Sequence, residues 1–147
     1  MSNYQTATQV DTYFSTRVGS FAWDDAVDAD KNKAVAHATW IIDQLEYKGE
    51  KSVSTQVNKF PRNGNSTPQA ILNAHSEICN ALIDGVDIEK EFIGMGGMSS
   101  TYANVKFVKQ QDSFQEHIRL GIPSISAYRL LAPYMLGHKN IKLNRTS

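Results

Sequence analysis

The chain has 147 residues, of which 41% are hydrophobic and 20% charged, with 15 Lys+Arg balancing 15 Asp+Glu. That length fits one globular domain and leaves no room for a second, and the composition excludes a disordered or collagen-like chain. The zero net charge argues against a dedicated nucleic-acid binder, and the single Cys79 excludes an intrachain disulfide and a cysteine-based zinc site.

In chain order, Thr8 can cap a first helix in which Val10, Tyr13 and Phe14 share a face before Gly19 stops it. Trp23 follows in a short acidic stretch, where Asp28 or Asp30 can cap the next helix and complement its positive end. There Ala34, Ala38, Ile41, Ile42 and Leu45 recur at helical spacing, which predicts a core-facing helix closed by Lys48-Gly49. Residues 50–66 carry no such stripe, and Phe60-Pro61-Arg62-Asn63-Gly64-Asn65 predicts an extended piece entering a turn. Thr67-Pro68 then predicts a helix start, a capping threonine with proline at the first helical position. Ile71, Leu72, His75, Ile78, Cys79 and Leu82 form the apolar face of that helix, which runs to about Asp84 and stops at Gly85.

Beyond Val86 the pattern changes. Gly94, Gly96 and Gly97 break the segment, while Tyr102, Val105 and Phe107 carry strand-forming side chains with Lys106 between the last two. The expectation is an extended β arm or hairpin over about residues 92–110. Pro123-Ser124 opens a final helix carrying Ile125, Tyr128, Leu131 and Met135, with Gly137 as its stop; Pro133 inside it predicts a kink or an early end. Residues 138–147 are polar and basic and predict a flexible tail. The expected fold class is therefore mainly α, a small bundle of about four helices with a β arm, as one domain over 1–137 and a tail over 138–147.

No constellation points to catalysis. His37, His75, His117 and His138 lie on separate segments without paired spacing, and His75, on an apolar helix face with Cys79 at i+4, is expected as a hydrogen-bonded core residue. Gly94-Met95-Gly96-Gly97 lacks the Gly-Lys-Ser/Thr ending of a phosphate loop, and Asp24, Asp25, Asp28 and Asp30 lack the glycine and closing glutamate of a calcium loop. No enzyme activity, cofactor or metal is expected. The first ten residues do not have the pattern of a secretory signal, and no apolar run reaches the roughly 20 residues that span a bilayer, so no membrane partner is expected.

The balanced charge is unevenly placed. The first thirty residues hold Asp11, Asp24, Asp25, Asp28 and Asp30 against Arg17, whereas the stretch from His117 onward holds Arg119, Arg129, Lys139, Lys142 and Arg145 and no Asp or Glu. An acidic front and a basic back suit a subunit that binds copies of itself head to tail. The candidate interface residues are Asp24, Asp25 and Asp28 at the front, Met95, Met98, Tyr102 and Phe107 in the arm, and Arg129, Lys139, Lys142 and Arg145 at the back.

The order Tyr13-Phe14 with Arg17, Trp23, Asp30-Lys31, Ala38-Thr39 with Ile42-Asp43, Tyr47-Lys48-Gly49, Phe60-Pro61-Arg62, Pro68, and Leu131 with Pro133-Tyr134 resembles the phage head-to-tail adaptor proteins. That group is often labelled DnaT-like single-stranded-DNA-binding protein, and the resemblance runs over about residues 4–137. It departs where Val57-Asn58-Lys59 precedes Phe60-Pro61-Arg62. The resemblance implies a helical bundle with an extended arm and a structural role in the virion neck. It further implies a ring, typically of twelve copies, that lies beneath the portal protein, extends the channel through which viral DNA passes, and docks tail or nozzle proteins, after assembly in the host cytoplasm. The competing expectation is a single-stranded-DNA-binding replication protein, which would combine a basic groove with stacking aromatics.

Overall fold

Thr6, rather than Thr8, opens the first helix in the computed structural model, which describes residues 2–101 and 116–137. The Gln9 backbone N–H donates to the Thr6 hydroxyl at 3.3 Å, and the Thr6 N–H donates to the Gln9 side chain at 2.8 Å. This reciprocal cap satisfies two otherwise orphaned donors and stabilises the helix end by about 1 kcal/mol. Helix α1 spans Ala7–Phe14, buries Val10 and Phe14, and ends well before Gly19. Helix α2 (Phe21–Asp25) buries Trp23, whose indole N–H donates to Asp11 at 2.7 Å.

Helix α3 (Asp28–Gln44) starts after Val27, which takes the extended capping conformation. Asp28 and Asp30 sit in the first turn, where their charge complements the helix dipole, but neither side chain caps the helix. The predicted stripe Ala34, Ala38, Ile41, Ile42 and Leu45 is buried, joined by Val35 and Thr39. The helix stops at Gln44, short of Lys48-Gly49, because the chain turns extended at Leu45 and carries Tyr47 into an antiparallel bridge with Met135.

The following loop is held by Arg62. Its guanidinium donates to the carbonyls of Lys48 at 2.9 Å, Lys59 at 3.1 Å and Tyr47 at 3.2 Å, and also to that of Gly49. Beside it Phe60 is buried, with ring edges of Tyr4, Tyr47 and Tyr134 against it. Gly49 has φ +77, and a Cβ there would overlap the Asn63 side chain, so the tight return requires glycine.

Helix α4 (Gln69–Ile83) is the central element and packs against α1, α2, α3 and the last helix. Pro68 stands immediately before it rather than at its first position, and no side chain caps it. Because neighbours cover it on several sides, burial extends past the predicted face to Ala74, Ser76 and Glu77. Gly85, with φ +86, ends the turn beyond it as expected.

The β arm is overturned where the structure describes it. Gly94, Met95, Gly96, Gly97 and Met98 lie within a continuous helix α5 (Ile88–Thr101), and no strand occurs among the described residues. Glycines cost helix stability without forbidding it, roughly 1 kcal/mol each against alanine. Here the Asp87 carboxylate accepts from the Glu89 and Lys90 backbone N–H groups at the start, and Ile88 and Phe92 meet Ile118 across a shared groove. Ile118 belongs to α6 (Glu116–Arg119), which packs on α5. Tyr102, Val105 and Phe107 lie outside the described residues.

Ser124 caps the last helix, α7 (Ile125–Leu131), its hydroxyl accepting from the Ala127 N–H at 3.2 Å. At Pro133 the chain tightens into a 3-10 turn, Ala132–Tyr134, which is the early end the proline predicts. Met135 is consequently outside the helix and buried against Tyr47 as extended chain.

Candidate functional site

The polar interior is structural. His75 is fully buried, with Nε2 3.0 Å from both Thr39 Oγ1 and the Val35 carbonyl and Nδ1 3.2 Å from Gln5 Oε1. Burial pushes its pKa down to about 4, against the opposing bond to Val35. Cys79 Sγ lies 3.8 Å from Nδ1, and burial pushes the thiol up to about 12. A neutral imidazole beside a protonated thiol in a sealed core has no nucleophile to offer, so the pair acts in packing, as the helix position of His75 implies. Glu77, also buried, accepts from the Tyr13 hydroxyl at 2.7 Å and pairs with Arg17. Among the described residues no cluster of His, Cys, Asp or Glu could hold a metal ion, and no helix is long and apolar enough to cross a membrane.

The basic side chains of residues 2–101 are all engaged by their own chain. Arg17 pairs with Glu77, Lys31 with Asp11 at 2.9 Å, Lys33 with Asp30 at 3.2 Å, Lys59 with Glu46 at 3.1 Å and Lys90 with Asp87 at 3.8 Å. Lys48 donates to the Pro133 carbonyl, Lys51 to that of Gln56, and Arg62 to the loop carbonyls. Asp11 shows the consequence: burial would raise its pKa, but the Lys31 and Trp23 donors outweigh burial and hold it low. Residues 1–101 hold 13 Asp+Glu against 8 Lys+Arg, a net of −5, and residues 102–147 hold 2 against 7, a net of +5.

What the first hundred residues present outward is therefore net acidic, with apolar side chains exposed among the charges. Asp24, Asp25 and Asp28 are exposed around the α2–α3 junction, which brings the three predicted acids together, with Phe21 (76% exposed) and Val27 (62%) beside them in sequence. Asp24 accepts from the Ser20 hydroxyl at 2.8 Å. Next along α3, a groove of about 440 Å³ opens between α3 and α4, lined by Asp30, Lys33, Ala34, His37, Leu82 and Ile83.

Comparison with protein families matches residues 2–91 to the family described as "Putative DnaT-like ssDNA binding protein". The chain belongs to that family. Comparison with curated proteins and with solved structures returns no match.

In this DnaT-like chain the matched region covers α1 to α4 and the Arg62 loop, so the motif residues Tyr13, Trp23, Ala38, Tyr47, Phe60 and Arg62 serve its core and its loop. The remaining predicted interface residues that the structure describes lie on separate helices. Arg129 is exposed on α7, Met95 and Met98 are placed on α5 by the backbone, and Tyr102, Phe107, Lys139, Lys142 and Arg145 lie outside the described residues. Sequence reading missed the α3–α4 groove and the exposure of Trp40, whose ring lies tilted beside that of His37 with centroids 5.8 Å apart. A signal was present: Lys33, His37 and Trp40 follow each other at four- and three-residue steps, a second face of α3 beside the core stripe.

Proposed function

We propose that this DnaT-like chain is a structural rather than catalytic protein, a head-to-tail adaptor that forms a ring beneath a portal in the neck of a virion. The observation that carries the reading is that every lysine and arginine in residues 2–101 is bonded within its own chain, which leaves a net acidic surface with exposed apolar side chains, suited to protein partners. The resemblance of the ordered motif set to adaptors supports it, as does the charge split, since a ring contact joins two different faces of one subunit. The partners are then neighbouring copies, their number matching a twelvefold portal, the portal itself, and tail or nozzle proteins, with DNA passing through the channel unread.

The second reading, single-stranded-DNA binding, is favoured by the family's description and by the half-exposed Trp40 on α3. Against it, Phe14 and Trp23 are buried, Tyr13 is held by Glu77, and the exposed Phe21 stands beside Asp24, Asp25 and Asp28, whose charge repels a nucleic-acid backbone. Fluorescence anisotropy with a labelled oligonucleotide separates the two. We expect no saturable binding at about 150 mM salt, whereas micromolar or tighter binding that weakens steeply with salt would favour the DNA reading.

A further inference from the structure

The α3–α4 groove has an apolar floor, Ala34, Leu82 and Ile83, and acids at one end. Asp28 and Asp30 stand exposed in the first turn of α3, and Asp84, also exposed, follows Ile83 at the end of α4. The cationic groups facing it are Lys33, already held by Asp30, and His37. An occupant should therefore carry apolar side chains next to positive charge.

Residues 138–147 have that chemistry. The segment holds Lys139, Lys142 and Arg145 and no Asp or Glu, and in an extended chain Ile141 and Leu143 would fall on one face between Lys139 and Arg145. We propose that the groove receives this segment from a neighbouring copy, with Ile141 and Leu143 over the apolar floor and the cations beside Asp28, Asp30 and Asp84. The proposal rests on the ring-forming reading and names its subunit contact.

The donor segment and the groove lie toward opposite ends of α3. The Leu136 N–H donates to the Glu46 carbonyl at 2.9 Å and the Lys48 N–H to the Tyr134 carbonyl at 2.8 Å, which pins the start of the donor segment beyond the C-terminal end of α3. The groove opens at Asp30, near the other end of a helix that rises about 1.5 Å per residue, so donor and acceptor are separated by roughly 20 Å. A donor at one end and an acceptor at the other is the heterologous arrangement that closes into rings.

The test titrates a labelled peptide of residues 137–147 into the full-length chain carrying Ile141→Asp and Leu143→Asp, whose own segment no longer competes. We expect saturable binding at about 50 mM salt that weakens at least tenfold at about 500 mM. The same loss is expected for a peptide carrying the two aspartates, and for the natural peptide on a chain that also carries Asp28→Lys and Asp30→Lys. A peptide with Lys139→Glu, Lys142→Glu and Arg145→Glu should recover binding to that charge-reversed chain. A thermal melt checks that the exposed substitutions leave the fold intact. Absence of saturable binding, or equal affinity across these pairs, overturns the proposal. Mixing an Asp28→Lys/Asp30→Lys chain with an Ile141→Asp/Leu143→Asp chain should yield one-to-one dimers that neither forms alone; failure to associate overturns the contact between copies. Rings that form without peptide binding sink the groove contact alone, whereas peptide binding by a chain absent from virions sinks the adaptor reading alone.

Discussion

His75 shows how a single core position couples stability to pH. Its folded pKa of about 4 lies below the ordinary value of 6.5. Above about pH 6.5 both folded and unfolded states hold it neutral, and the native state keeps its full stability. As pH falls from 6.5 toward 4, the unfolded chain binds a proton that the folded chain refuses, so stability drops by up to about 3 kcal/mol and then levels off. We expect the difference in unfolding free energy between the natural chain and His75→Gln to shrink across that window. A pH-independent difference in urea titrations would contradict it. Arg62 makes the complementary case for geometry over charge. One planar fork serves four carbonyls, which a lysine ammonium cannot match, so Arg62→Lys should lower stability by about 1–3 kcal/mol despite conserving charge. An unchanged urea midpoint would refute this.

At the scale of elements, α5 carries the largest correction. Three glycines in four residues read as a break, yet the backbone is helical through all of them. A Cβ added at Gly94 would meet no atom within 4 Å, and the residue has no positive φ, so Gly94→Ala should stabilise α5 by about 0.5–1 kcal/mol. Slower amide exchange over residues 88–94 would show it, and faster exchange would restore the extended arm. The stripes of α3 and α4 were legible because period 3.6 and burial coincide there: Ala34 to Leu45 and Ile71 to Cys79 face neighbours along each stripe. Start positions were less legible. Thr6 and Thr8 have the same capping chemistry, and only the reciprocal Gln9 contact separates them. The burial of Tyr47 and Met135 was not legible either, because a bridge across 88 residues leaves no local period. The acids of the candidate site were visible from charge alone, but the groove beside them needed α3 and α4 in register.

At the scale of the molecule, the zero net charge of the sequence resolves into a first hundred residues whose cations are spent on their own chain and a remainder that is strongly basic. The two portions are complementary in charge, and any contact between them is screened by salt. A ring beneath a portal also has a fixed stoichiometry. The most direct measurement is quantitative mass spectrometry of purified virions, with the portal protein as internal standard. One copy of this chain per portal subunit is the predicted result. Its absence from virions, together with its recovery on single-stranded DNA in infected cells, would contradict the adaptor role.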